Sequence, residues 1–181
     1  MAFADYLDLR TAVIEMVGKP DIADVFERLT KLAESRLNRV LRMQQQITET
    51  TITLTSGSAT LPSDFAELIG VYDANGSEFI TKTLADIQDD DTTVADGTYN
   101  IQYYAKLPTL TASHTTTNWL LSEYPDVYLY AVGHEAARQV RDVELIEATG
   151  GMRMEAIDEA RGNDEAARYS RARIRVKGPT P

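Results

Sequence analysis

Residues 29–58 read LTKLAESRLNRVLRMQQQITETTITLTSGS, and within that stretch the spacing of apolar side chains changes from three-and-four to two. Before the change, Leu29, Leu32, Ala33, Leu37, Val40 and Leu41 recur as the stripe of a buried helix face. After it, Ile52 and Leu54 alternate with Thr51, Thr53 and Thr55 in a β-branched run, the pattern of a strand with one covered face. A chain that switches period in this way belongs to the α+β class.

Upstream, the stripe extends back through Phe26, Val25 and Ile22, with Asp21 as the expected cap. Arg28, Lys31, Arg36, Arg39 and Arg42 fall mostly off it. A first helix is predicted from Phe3 to Val17, with Phe3, Leu7, Val13, Ile14 and Val17 on one face and Gly18-Lys19-Pro20 as the stop. Downstream, Ser56-Gly57-Ser58 reads as a hairpin turn, Ala59-Thr60-Leu61 as its return strand, and Pro62 closes it. Ile69 to Tyr72 and Phe79 to Thr83 read as a strand pair joined through Ala74-Asn75-Gly76. A helical turn over Leu84 to Gln88, an acidic loop, and a strand over Tyr99 to Tyr104 follow.

Helical texture then returns. Thr117 is the predicted cap of a turn over Asn118 to Leu121, and Pro125 stands where a helix start tolerates it. Tyr124, Val127, Tyr128, Ala131, His134 and Arg138 share a face of a helix ending near Val140, and Asp142 caps a last one. Gly150-Gly151 and Gly162 weaken that helix, which is expected to bend or pause there. The expected architecture is an antiparallel helical bundle core with an inserted β-rich unit and an extended C-terminal tail. In residue terms, a single domain spans 1–169, with helices within 3–43 and 117–168 and the insert at 45–110. A basic tail occupies 170–181, without periodicity and expected to be either mobile or ordered by a partner.

The chain has 181 residues and a net charge of −10. That charge argues against gripping DNA or anionic lipid over the whole surface. With no cysteine there is no disulfide, thiol nucleophile or cysteine-ligated zinc, and no apolar run reaches the length of a membrane span. The Met-Ala-Phe-Ala-Asp-Tyr start lacks the basic and apolar regions of a signal peptide. The charge is unevenly spread. Residues 1–160 hold 12 basic and 26 acidic side chains, whereas residues 161–181 hold 6 and 2. The body is acidic and the tail basic. Arg168, Arg171, Arg173, Arg175 and Lys177 suit an acidic protein surface or a nucleic acid, and charge alone does not choose between them.

Little in the sequence points to catalysis. His134-Glu135 opens the H-E-x-x-H zinc pattern, but Arg138 stands where the second histidine belongs, so a helix histidine without metal is the better reading. His114 lies in a Ser/Thr-rich loop with no paired nucleophile. Asp86, Asp89, Asp90, Asp91 and Asp96 lack the glycine and terminal glutamate spacing of a calcium loop, which favours a solvated acidic loop. No glycine-rich phosphate loop occurs, and no cofactor is implied. The densest feature is the aromatic run from Trp119 to Tyr130. Core packing is the favoured reading for Trp119, and its rival is an anchor between protein neighbours.

These segments, in order, resemble the head-to-tail adaptor proteins of tailed double-stranded DNA bacteriophages. The resemblance rests on Tyr103 to Leu110, on Thr117-Asn118-Trp119-Leu120-Leu121, on Tyr124-Pro125-Asp126-Val127-Tyr128-Leu129-Tyr130, and on Glu135-Ala136-Ala137. Leu61-Pro62-Ser63-Asp64-Phe65-Ala66-Glu67-Leu68 is similar to that family's L-P-x-D-F-x-E-L stretch, and the helix from Leu29 to Arg42 is placed as those proteins place theirs. On that resemblance Pro62, Asp64, Phe65, Trp119, Tyr124, Pro125, Tyr128 and Tyr130 are motif and packing anchors, and no residue is catalytic. The resemblance further implies a structural virion protein without enzymatic activity, assembled in the host cytoplasm and placed in the neck between capsid and tail. It would form a ring, usually of twelve neighbouring adaptor subunits, on the portal ring and meet a tail or nozzle protein below. Its C-terminal segment would reach the portal, DNA would pass through without specific binding, and no membrane would be involved. A stopper or tail-completion protein of the same particle is the nearest alternative reading. A tail-carried cell-wall hydrolase and a nucleic-acid-binding module stand further off.

Overall fold

The structure, a computed structural model, describes residues 3–79, 95–110 and 116–170. The expected strand beyond Phe79, the helical turn 84–88, most of the acidic loop, His114 and the tail from Arg171 onward lie outside them. The described residues confirm the α+β class, with five α-helices and a four-stranded antiparallel sheet. The chain divides into two compact units, Gln45–Pro108 and the combination of Met1–Gln44 with Thr109–Pro181.

In the helical unit, α1 (Tyr6–Val17) starts three residues later than the apolar pattern suggested. Asp5 is the reason: its carboxylate accepts from the backbone N–H of Leu7 and Asp8, which fixes the helix start there. The buried stripe is Tyr6, Leu9 and Val13, and Leu7 is exposed. Gly18 ends α1 at φ 66°, a left-handed value that a glycine adopts without penalty. Pro20 then opens a short 3-10 turn, Pro20–Asp24, so Asp21 sits inside a turn rather than capping a helix. Helix α2 (Phe26–Val40) begins without a side-chain cap and buries Phe26, Leu29, Thr30, Ala33, Glu34 and Leu37. Leu32 and Val40, which the spacing placed on the stripe, are exposed at its edges.

Helix α3 (Trp119–Glu123) is capped by Asn118, whose side chain accepts from the Leu121 N–H. The neighbouring Thr117, the expected cap, pairs its hydroxyl with Ser122. Pro125 opens α4 (Pro125–Val140) at the first helical position, as its missing N–H favours. Arg141 ends α4 at φ 60°, and Asp142 caps the next helix by accepting from the Leu145 N–H. Helix α5 (Val143–Ser170) then runs unbroken for 28 residues through Gly150, Gly151 and Gly162, so the helix does not pause at those glycines. Gly133 explains how α1 approaches α4: a Cβ there would lie 2.0 Å from the Met16 methyl carbon.

In the sheet unit the strand order is β1-β4-β2-β3, with β1 (Ile47–Leu54), β2 (Phe65–Tyr72), β3 (Glu78–Phe79) and β4 (Gly97–Ala105). The Ser56-Gly57 turn forms and is closed by a Thr55–Ser58 bridge, but residues 59–61 are not a return strand. Strand β1 instead pairs along its whole length with β4, from Ile47 opposite Tyr104 to Leu54 opposite Gly97. Only three residues separate the turn from Pro62, which has no N–H to donate, whereas β4 offers eight partners. Ile101 and Tyr103 form the buried centre of the sheet.

Candidate interaction surface

The residues singled out from the sequence fall into three groups. Pro62, Asp64 and Phe65 organise the sheet unit. The Pro62 carbonyl accepts from the Phe65 N–H at 3.0 Å, and the Asp64 carbonyl accepts from the Lys106 N–H at 2.7 Å. Asp64 Oδ1 accepts from the Tyr103 hydroxyl at 3.1 Å, while the Phe65 ring stacks on Tyr103 at 5.5 Å. The turn therefore ties β2 to the end of β4 through one buried tyrosine. Burial, with the Asp64 carboxylate beside it, pushes the Tyr103 hydroxyl above its ordinary pKa.

The aromatic run belongs to the helical unit, and its members differ in burial. Tyr128 is fully buried; Trp119, Tyr124, Pro125 and Tyr130 are half-buried, so the core reading of Trp119 is only partly met. The pleasing fit of the run to a helix hides the reason for its order: Leu120 and Leu121, not the tryptophan, fill the interior beneath α3. Tyr128 centres a network that the pattern did not reveal. Its hydroxyl donates to Glu34 Oε1 at 3.2 Å and accepts from Asn118 Nδ2 at 2.7 Å. Glu34 Oε1 also accepts from the Leu110 N–H at 2.8 Å. One buried carboxylate thus joins α2, α4 and the segment entering the second half of the helical unit. Desolvation raises the pKa of Glu34 and, more strongly, that of Tyr128.

The third group is the basic set. Arg171, Arg173, Arg175 and Lys177 lie outside the described residues. Arg168 pairs with Asp164 at 2.9 Å and donates to the Arg42 carbonyl at 3.1 Å. Arg161 donates to the Val40 carbonyl, and Arg42 donates to the Asn38 and Leu41 carbonyls. Three arginines therefore serve the carbonyls at and just beyond the C-terminal end of α2, where the helix dipole favours positive charge.

His134 is buried, with Nδ1 3.3 Å from the Thr149 hydroxyl, and burial together with nearby Arg153 lowers its pKa. Among the described residues no group of three His, Asp or Glu side chains is placed to hold a metal ion, and no helix is long and apolar enough to cross a membrane.

A groove of about 330 Å³ runs between α2, α4 and α5. Arg36, Arg39, Arg153 and Arg161 line it over a floor that includes Leu37, Ala131 and Ile157, with Val40 and Met154 at its open side. Glu135 is buried at its base, 3.0 Å from Arg36. Glu135 Oε1 is the atom that pairs with Arg36, whereas Arg153 Nε is buried without a hydrogen-bond partner among the described residues. Four cations against Glu135 and Asp158 leave this groove positive on a predominantly acidic body. Sequence spacing hid it, because its arginines come from helices more than 100 residues apart.

A hydrogen-bonded helical interior, a small antiparallel sheet and a charged, partly apolar groove define an α+β protein. Residues 4–177 match the SU10 adaptor protein family, and the chain belongs to that family of phage head–tail adaptors. It is a structural adaptor protein of a bacteriophage. No curated protein matches the chain.

Proposed function

We propose that the chain is the subunit of a ring that docks on the portal in the virion neck and joins the DNA-filled capsid to the tail. The observation that carries this reading is the adaptor family match across residues 4–177. The charge distribution supports it. An acidic body repels the phosphates of DNA moving through a channel, and a basic C-terminal segment complements an acidic groove on a partner. Twelve subunits, assembled in the host cytoplasm and meeting a tail or nozzle protein below, complete the reading. Its helices form the ring wall around an antiparallel bundle core, its sheet unit faces the tail protein, and residues 171–181 act as an extended arm toward the portal. No catalytic step belongs to this role.

The test is to mix the purified protein with portal rings and image the product by electron microscopy. Added ring density is expected, and its absence under assembly conditions overturns the proposal. Truncation after Ser170 refines it, since Arg161 and Arg168 precede the cut and their contacts with α2 stay intact. The truncated protein should stay folded by circular dichroism and lose portal attachment; unchanged attachment removes the arm from the proposal.

A further inference from the structure

The arginine groove has a complement on the same chain. Helix α1 exposes Leu7, Asp8, Thr11 and Glu15. At 100° per residue these four fall within one quadrant or slightly more, on the side opposite the buried Tyr6, Leu9 and Val13. The face is acidic and carries one large apolar side chain, Leu7, at 43% exposure. The groove is positive and carries two at its open side, Val40 at 42% and Met154 at 62%.

Their placement matters as much as their charge. Helix α1 packs on α4 at Gly133, where Met16 fills the space a Cβ would take. The groove lies on α4 at Ala131 and Glu135, each two residues from Gly133 and therefore about 160° away around the helix. Acidic face and basic groove thus look out from opposite sides of one helix. Complementary patches that face away from each other cannot meet within a chain. They can meet between chains, head to tail, which is the contact that closes a ring.

We infer that α1 of one copy seats in the arginine groove of the next. Leu7 lies against Val40 and Met154, while Asp8 and Glu15 face Arg39 and Arg153. This deepens the ring reading above and rests on it. The charges set register and steer the encounter, and the apolar contact supplies the burial.

The absence of native cysteines makes the test clean. A Thr11→Cys, Met154→Cys double variant changes two exposed positions. It is treated with a short bis-maleimide, both alone at high concentration and after mixing with portal rings. The expected result is a ladder of trimers and larger species, where either single variant stops at dimers. Arg39→Glu should reduce the ladder roughly tenfold, and adding Glu15→Arg should restore it. Absence of a ladder while electron microscopy shows ring density on the portal overturns this contact and leaves the adaptor reading standing. Absence of both overturns both. If Arg39→Glu weakens portal attachment while the ladder persists, the groove holds the portal rather than a second copy, and the inference fails.

Discussion

Glu34 is the buried carboxylate that links α2 to α4 and to the backbone of Leu110. It accepts from Leu110 and Tyr128 while buried. Glu34→Ala leaves a buried N–H and hydroxyl without that acceptor and should cost about 3 kcal/mol in denaturant unfolding. Glu34→Gln retains an acceptor oxygen and removes the buried charge. The pKa of Glu34 is raised in the fold, so the folded state holds the proton more tightly. That contribution is fully present below the unfolded value and is lost as pH rises through the folded one. The melting temperature of Glu34→Gln relative to the native chain should therefore climb as pH rises from about 4 to 7. A difference independent of pH would mean that Glu34 ionises without cost. No sequence pattern announced this site. A glutamate within the repeat of Leu29, Ala33 and Leu37 reads as solvent-facing until the tertiary partners, 76 and 94 residues away, are known.

At the scale of elements, local chemistry was readable and long-range pairing was not. The switch from helix to strand spacing, Pro125 at a helix start and the Asp142 cap all follow from side chains a few residues apart. The return strand at 59–61 failed because a nearby turn says nothing about a distant partner; β1 pairs with β4 more than 40 residues on. The helix does not pause at Gly150-Gly151 because packing along α5 outweighs the roughly 1 kcal/mol that each glycine costs a helix. Two predictions follow from the α4–α5 connection and α5 itself. Arg141→Gly should stabilise the protein by about 1 kcal/mol, since Arg141 holds φ 60° without being glycine. Gly162→Ala should add a similar amount, because nothing lies within 4 Å of the new methyl group. Both are measured by thermal or urea unfolding of the free protein, and a loss of stability would contradict either assignment.

For the whole molecule, the helical unit is assembled from both ends of the sequence, with 45–108 as a unit of its own between them. The apolar face of α2 packs against α4, so the first 44 residues have no complete interior until residue 140 exists. A chain ending at residue 110 should show little helix by circular dichroism despite containing α1 and α2 whole; native-like helical signal would count against this. The arginine groove belongs to the same scale. That Arg36 and Arg39 fall off the apolar stripe was visible in the sequence, but only the packing of α2, α4 and α5 turns separated arginines into one surface.

The arginines at the end of α2 carry a mechanical meaning as well. Force applied along α5 from its C-terminal end reaches Arg168 and then Arg161, whose hydrogen bonds join α5 to the Arg42 and Val40 carbonyls. Those bonds tie α5 to the segment that leads from the end of α2 toward β1. A pull on the tail would be felt first at residues 40–42, long before it strained the interior around Tyr128.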